Sequence, residues 1–114
     1  MAHSIETFFA AWADGDAGKV TAAVTEQATY RDPRTPEPLT SAAAMADYVA
    51  MFSQHAPGAV AEVVNLSECG PHMRATVAFK MADGMVQHGQ YFCDMAEDGR
   101  ISRMVGFVGT GEPE

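Results

Sequence analysis

Between residues 5 and 13 the apolar side chains Ile5, Phe8, Phe9 and Trp12 recur at intervals of three and four, the spacing of one helix face. Asp14-Gly15-Asp16 interrupts this pattern. Asp16 is placed to N-cap a second short helix, with Val20, Ala23 and Val24 inward. A β-prone run over 27–32 follows and enters a segment stiffened by Pro33, Pro36 and Pro38. Thr40 or Ser41 caps a third helix reaching about Gln54, built on Met45, Tyr48, Val49 and Phe52. His55-Ala56-Pro57-Gly58 stops it.

From residue 59 the period changes to two. Met73, Ala75, Val77, Phe79 and Met81 alternate with His72, Arg74, Thr76, Ala78 and Lys80, the pattern of a half-buried strand. Gly70-Pro71 separates it from the strand before. Ala82-Asp83-Gly84 reads as a three-residue hairpin loop with Gly84 left-handed, and Asp98-Gly99 as a second turn before a last strand at 101–108. Helices first and a four-strand meander after them predict an α+β fold, the helices lying on one sheet face. A curved sheet wrapped round an amphipathic helix encloses an apolar pocket.

A length of 114 residues predicts one domain over 1–114. A hydrophobic fraction of 47% with 19% charged residues describes a folded globule. The net charge of −8, with seven basic residues spread along the chain, argues against nucleic acid and anionic membranes as partners. No apolar stretch reaches the length of a membrane span. Met1-Ala2-His3-Ser4 lacks the features of a secretory signal, and Cys69 and Cys93 have no CxxC spacing, so a cytoplasmic location with reduced thiols is expected. His3, His55, His72 and His88 share no ligand-like spacing and no phosphate-binding glycine loop is present, so neither a metal nor another cofactor is expected.

The candidate chemistry lies in Ala28-Thr29-Tyr30-Arg31-Asp32-Pro33. Side chains alternate along a strand, so Tyr30 and Asp32 face the same way. An acid on a rigid strand end beside a phenol suits proton transfer. An Asp before Pro equally suits the start of a turn. Gly89, inside a strand, marks a bulge or a close backbone approach. Cys93 packs inward, His88 falls on the outer sheet face, and His55 complements a helix end.

The order of elements, Trp12-Ala13-Asp14-Gly15-Asp16, Ala28 through Pro33, the Pro36-Glu37-Pro38 turn and Asp98-Gly99-Arg100-Ile101 resemble the NTF2-like superfamily. Within it the chain is most similar to SnoaL-like polyketide cyclases and ketosteroid isomerases. The resemblance implies an NTF2-like (cystatin-like) cone, with three N-terminal helices on a curved, mainly antiparallel sheet. It also implies that Asp32 is a general base moving a proton α to a carbonyl. The tyrosine of that family's first helix falls on Phe8, which has no hydroxyl, and the acid of its sheet falls on Tyr91. Tyr91 and Tyr30 then form the replacement donor pair. Epoxide hydrolysis, another activity of the superfamily, needs an Asp-Arg-Asp set, and Arg74 is expected to face outward.

These readings name Asp32, Tyr30 and Tyr91 as catalytic candidates. Phe8, Trp12 and Phe52 are the expected ligand contacts from the helices, and the resemblance adds Met104 and Val108. The expected function is an isomerase or cyclase acting on an apolar carbonyl compound without a cofactor. The alternatives are a non-catalytic module that binds a hydrophobic ligand and a dimerisation module of the same shape. The expected partners are a small apolar molecule and a second copy of the chain, held through the outer sheet face bearing Val86, His88 and Phe92.

Overall fold

In the first helix, α1 (Ser4–Ala10), the N-terminal amides are capped by His3, whose Nδ1 accepts from the Ile5 amide at 3.1 Å. The His3 amide in turn donates to Glu6 Oε1 at 3.0 Å. This is a computed structural model, and it describes residues 3–109 of the chain. The helix does not run on to residue 13 as its apolar spacing predicts. After Ala10 the chain tightens into a 3-10 turn, Ala11–Ala13, a common way for a helix to end. Trp12 is therefore carried on the tighter turn, still facing the core.

The α2 helix (Ala17–Ala23) is capped as expected, Asp16 Oδ1 accepting from the Lys19 amide at 3.2 Å. Val24, expected on its inner face, instead opens β1 (Val24–Arg31). The β-branched pair Val24-Thr25 favours the strand, and Val24 pairs with Ile101 there. At α3 (Ala42–His55) the cap is Ser41, its Oγ accepting from the Ala44 amide at 3.1 Å. His55 ends that helix with Nδ1 2.9 Å from the Met51 carbonyl oxygen.

Four further strands follow: β2 (Val60–Cys69), β3 (His72–Lys80), β4 (Val86–Met95) and β5 (Ile101–Val108). They form the expected antiparallel meander, and β1 joins its end in parallel, giving the order β1-β5-β4-β3-β2. Met81 and Met85 flank the first hairpin loop, and Gly84 is left-handed at φ 93°. The β3–β4 ladder passes through Gly89 (opposite Val77) without a bulge. Register shifts fall instead at Val24–Thr29, Val63–Asn65 and Asp94–Met95. What Gly89 provides is closeness, because a Cβ there would sit 3.2 Å from the Tyr91 ring.

One face of the curved sheet presents Met73, Ala75, Val77, Tyr91, Cys93 and Met104 to the helices. Against them pack Ile5, Phe8, Phe9, Trp12, Met45 and Val49. The result is the expected α+β arrangement, three helices on a curved five-stranded sheet. Among the described residues no helix is long and apolar enough to cross a membrane.

Candidate functional site

Asp32 follows the last residue of β1, in the stretch where the chain doubles back. Two main-chain bonds hold that reversal: Tyr30 and Leu39 exchange amide-to-carbonyl hydrogen bonds of 2.9 and 2.8 Å. Thr35 closes it from inside, its hydroxyl accepting from the Asp32 amide at 3.1 Å and donating to the Asp32 carbonyl at 3.0 Å. Asp32 as a residue is 9% exposed.

Its two oxygens have different duties. Oδ1 accepts from the amides of Arg34 (2.8 Å) and Thr35 (3.1 Å), which is the turn-forming role of an Asp before Pro. Oδ2 accepts from the hydroxyls of Tyr30 (2.6 Å) and Tyr48 (2.7 Å). Both readings of the Asp-Pro sequence thus hold at once, one on each oxygen. A carboxylate offers about four lone-pair positions, and these four donors fill them.

Tyr91 completes the group. Its oxygen lies 3.5 Å from that of Tyr30, a long contact, and Tyr30 has already given its single proton to Asp32 at 2.6 Å. With that proton committed, only the Tyr91 hydroxyl is left to donate across the 3.5 Å contact, so its proton is the most weakly held of the three. All three tyrosines of the chain belong to this cluster. Burial raises the pKa of each above the usual tyrosine range, and the negative charge of Asp32 adds to the effect. The Arg34 guanidinium works the other way on Tyr48 and Tyr91. At neutral pH the three phenols are hydrogen-bond donors, not anions.

Room for the Tyr91 ring is made by its neighbours. It pairs with Ala75 on β3 and with Gly106 on β5. A Cβ at Gly106 would fall 2.5 Å from Cε2 of that ring, closer than atoms tolerate. A glycine in a strand can mark such an approach, but sequence periodicity did not single this one out.

The cluster opens on a cavity of about 60 Å3. Asp32, Tyr48 and Tyr91 contribute polar groups, while Trp12, Phe52 and Phe79 supply aromatic wall. Val108, 66% exposed, lies on the rim with Phe107. Arg34 also borders it, its Nη2 donating to Gln87 Oε1 at 3.2 Å. Of the expected ligand contacts, Trp12, Phe52 and Val108 line this space. Phe8 and Met104 do not, because both are sealed in the core behind it, at 1% and 0% exposure. Arg74 is exposed and bonded to Ser67 Oγ at 3.0 Å, so it does not join Asp32. The buried Cys93 thiol is pushed up to about 12 by burial and by the charge of Asp94, which leaves it a packing group.

Sequence reasoning missed two members. Tyr48 was legible as an inward position of α3, but helical spacing does not say that its hydroxyl crosses to another element. Thr35, three residues after Asp32, carried a spacing signal: Asp and Thr side chains commonly bond back to nearby main chain.

A SnoaL-like domain matches residues 5–104. Among solved structures, a proposed isomerase of the SnoaL-like family from Agrobacterium tumefaciens strain C58 superposes with a TM-score of 0.82. It is 24% identical, over 94% of this chain and 95% of that one. A proposed ketosteroid isomerase from Kribbella flavida gives 0.72 at 21% identity, over 97% of this chain and 78% of that one. An epoxide hydrolase from M. tuberculosis gives 0.71 at 16%, over 93% and 80%. No curated protein sequence matches the chain. Structures of this fold thus span more than one chemistry, and at these identities the likeness is one of fold. By its domain match and its three-helix, curved-sheet architecture, the chain belongs to the SnoaL-like family and has the NTF2-like fold.

Proposed function

We propose that the protein is a cofactor-independent acid–base enzyme of isomerase or cyclase type, acting on a small, mostly apolar carbonyl compound. The observation that carries this reading is the presence, on the wall of the same aromatic cavity, of one carboxylate and one phenol whose proton is held by no contact shorter than 3.5 Å. Asp32 Oδ2 takes a proton from the carbon next to the carbonyl. The electron pair of that C–H bond becomes the carbon–carbon double bond of an enolate as the carbonyl π pair moves onto oxygen, which accepts a hydrogen bond from Tyr91. Isomerisation follows when Asp32 returns the proton to another carbon of the conjugated system. Cyclisation follows when the enolate carbon attacks a second carbonyl in the same molecule and the alkoxide so formed takes the proton back from Asp32.

Cavity size restricts the ligand. About 60 Å3 is well below the several hundred usual for drug-sized ligands, so a ligand of few heavy atoms, or the reacting end of a larger one, fits. The direct experiment is hydrogen–deuterium exchange at the α-carbons of cyclopentanone and cyclohex-2-enone in heavy water. The protein should accelerate exchange and Asp32→Asn should abolish the acceleration while leaving binding intact.

One observation favours a second reading. The four donors on Asp32 leave no lone pair vacant, as in a carboxylate that only holds a turn and two phenols in place. A non-catalytic module binding an apolar ligand would bind the same ketones without accelerating exchange. In either case a homodimer through the outer sheet face is part of the proposal. Phe92 and Phe107 stand 49% and 55% exposed there, their rings edge to face at 5.7 Å.

A further inference from the structure

Arg34 reaches the cavity from the turn that holds Asp32. Its amide donates to Asp32 Oδ1 at 2.8 Å, which fixes the main chain there. Its Nη2 donates to Gln87 Oε1 on β4 at 3.2 Å, so the side chain is tied to both the turn and the sheet. Arg34 and Gln87 are exposed while Asp32 and Tyr91 are buried, so the guanidinium stands at the solvent end of the same space. Of the lysines and arginines it alone borders the cavity. A guanidinium has five N–H donors in a planar fork. Gln87 takes one of them, and among the described residues no carboxylate lies within ion-pair distance of that guanidinium. Lys19, Lys80, Arg100 and Arg103, by contrast, each face one.

We propose that Arg34 binds the carboxylate of a small oxo acid whose ketone end enters the cavity, so that the ligand class is an oxo-carboxylate anion. This rests on the carbonyl-binding role given to the cavity above and narrows its ligand. A carboxylate fits the open prongs of the fork, which can grip both of its oxygens. Charge at the two ends of the site fixes the direction of entry. The Asp32 carboxylate repels an anion from the inner end, and Arg34 attracts it at the mouth. The neutral ketone is then the part that meets Asp32 and Tyr91. A cavity of about 60 Å3 suits this division, since only the reacting end has to be enclosed. The guanidinium charge is also felt inside: burial raises the pKa values of Tyr48 and Tyr91, and Arg34 opposes that rise. The net charge of −8 does not prevent the approach. Exposed charges farther apart than about 8 Å are largely screened at physiological ionic strength, so the contact at Arg34 decides.

Levulinate and its neutral amide have nearly the same shape and differ in charge at the end remote from the ketone. We would compare them, and the next two longer homologues of each, in α-proton exchange and in binding. The Met81 methyl signal, on the cavity wall, reports binding whether or not exchange occurs. At the chain length that spans the site, both affinity and kcat/KM should favour the acid about tenfold, the worth of a hydrogen bond to a charged group at an open site. The preference should shrink as salt is raised. Arg34→Gln should bring the ratio of acid to amide close to one, and Arg34→Lys, which keeps the charge without the fork, should restore part of it. Each variant is judged by a ratio, so a general loss of stability or activity does not alter the reading.

If the amides bind as tightly as the acids at every length, or if Arg34→Gln keeps the preference, the inference is wrong. If cyclopentanone perturbs Met81 and the oxo acids do not, it is wrong while the carbonyl reading stands. If the acids bind with the expected preference but no ketone exchanges its protons, the anion site stands and the enzyme reading falls. Failure of every one of these ketones to perturb Met81 ends both.

Discussion

The Tyr48 hydroxyl, on α3, donates to Asp32 Oδ2 at 2.7 Å and so occupies the position where, in the proposed proton transfer, a substrate proton would arrive. Tyr30 occupies the other lone pair of the same oxygen from within the strand. Tyr48 is half-buried and Tyr30 is sealed, so Tyr48 is the one free to turn aside when a ligand enters. Tyr48→Phe should therefore speed α-proton exchange several-fold while lowering stability by about 1.5–3 kcal/mol, the usual worth of a hydrogen bond to a charged group. Denaturant midpoints and the deuterium assay read the two effects separately. Loss of exchange in this variant would mean that Tyr48 takes part in the proton transfer.

Replacing Asp32 separates its two duties. Asparagine keeps an oxygen that accepts the Arg34 and Thr35 amides, whereas alanine abandons the turn and both phenols. Asp32→Ala should be the less stable of the two by about 1–3 kcal/mol, the cost of leaving buried donors unmatched. Equal stabilities would show that the turn does not depend on the side chain.

Gly106→Ala places a methyl carbon 2.5 Å from the nearest atom of the Tyr91 ring. The cost should be about 1–3 kcal/mol, in the range for overpacking a filled core. Tyr91→Leu removes the obstacle, so the double variant should recover at least about 1 kcal/mol of coupling in a thermodynamic cycle. Strict additivity would mean that the strand shifts to accept the methyl and the ring stays where it is.

Alkaline pH tests the phenol cluster as a whole. Burial raises the pKa values of Tyr30 and Tyr91, so the folded state holds protons that the unfolded chain releases above about pH 10. That stability is fully present below this pH and drains away as pH rises through it. Near-ultraviolet absorbance should show tyrosinate appearing together with loss of far-ultraviolet circular dichroism. Ionisation of these tyrosines in a still-folded protein would contradict the buried network.

For the outer face, Phe92→Glu should convert a dimer to a monomer in analytical ultracentrifugation without changing the circular dichroism spectrum. The exposed ring has no core contact to lose: its one aromatic neighbour is the equally exposed Phe107. A wild-type protein that sediments as a monomer at micromolar concentration would end the proposal.

Most of the architecture could be read from local patterns, because local physics decides it. Asp16 and Ser41 cap helices through side-chain geometry confined to three residues, and Gly84 closes a hairpin of the same size. The shared face of Tyr30 and Asp32 followed from strand alternation alone. Errors arose where a distant element decided. Val24 continues the helical spacing of Val20, yet its place is set by Ile101 on the far strand. The limit is clearest at the site. Whether Phe8 or Trp12 meets the cavity depends on how a helix rolls against a sheet, and the spacing of the two residues is compatible with either. Tyr48 reaches Asp32 from an element that begins only after the proline segment has reversed the chain.

The parallel pairing of β1 with β5 sets Tyr30 beside Met104, residues that lie near opposite ends of the chain. During synthesis the helices and the β2–β3–β4 hairpins can form as they emerge, since their contacts are close in sequence. The strand that leads to Asp32 has no sheet neighbour until Ile101–Val108 has left the ribosome. A chain interrupted before that point would have most of its secondary structure while the strand that leads to Asp32 lacked its neighbour, so the tyrosine–carboxylate cluster is braced only once β5 has docked.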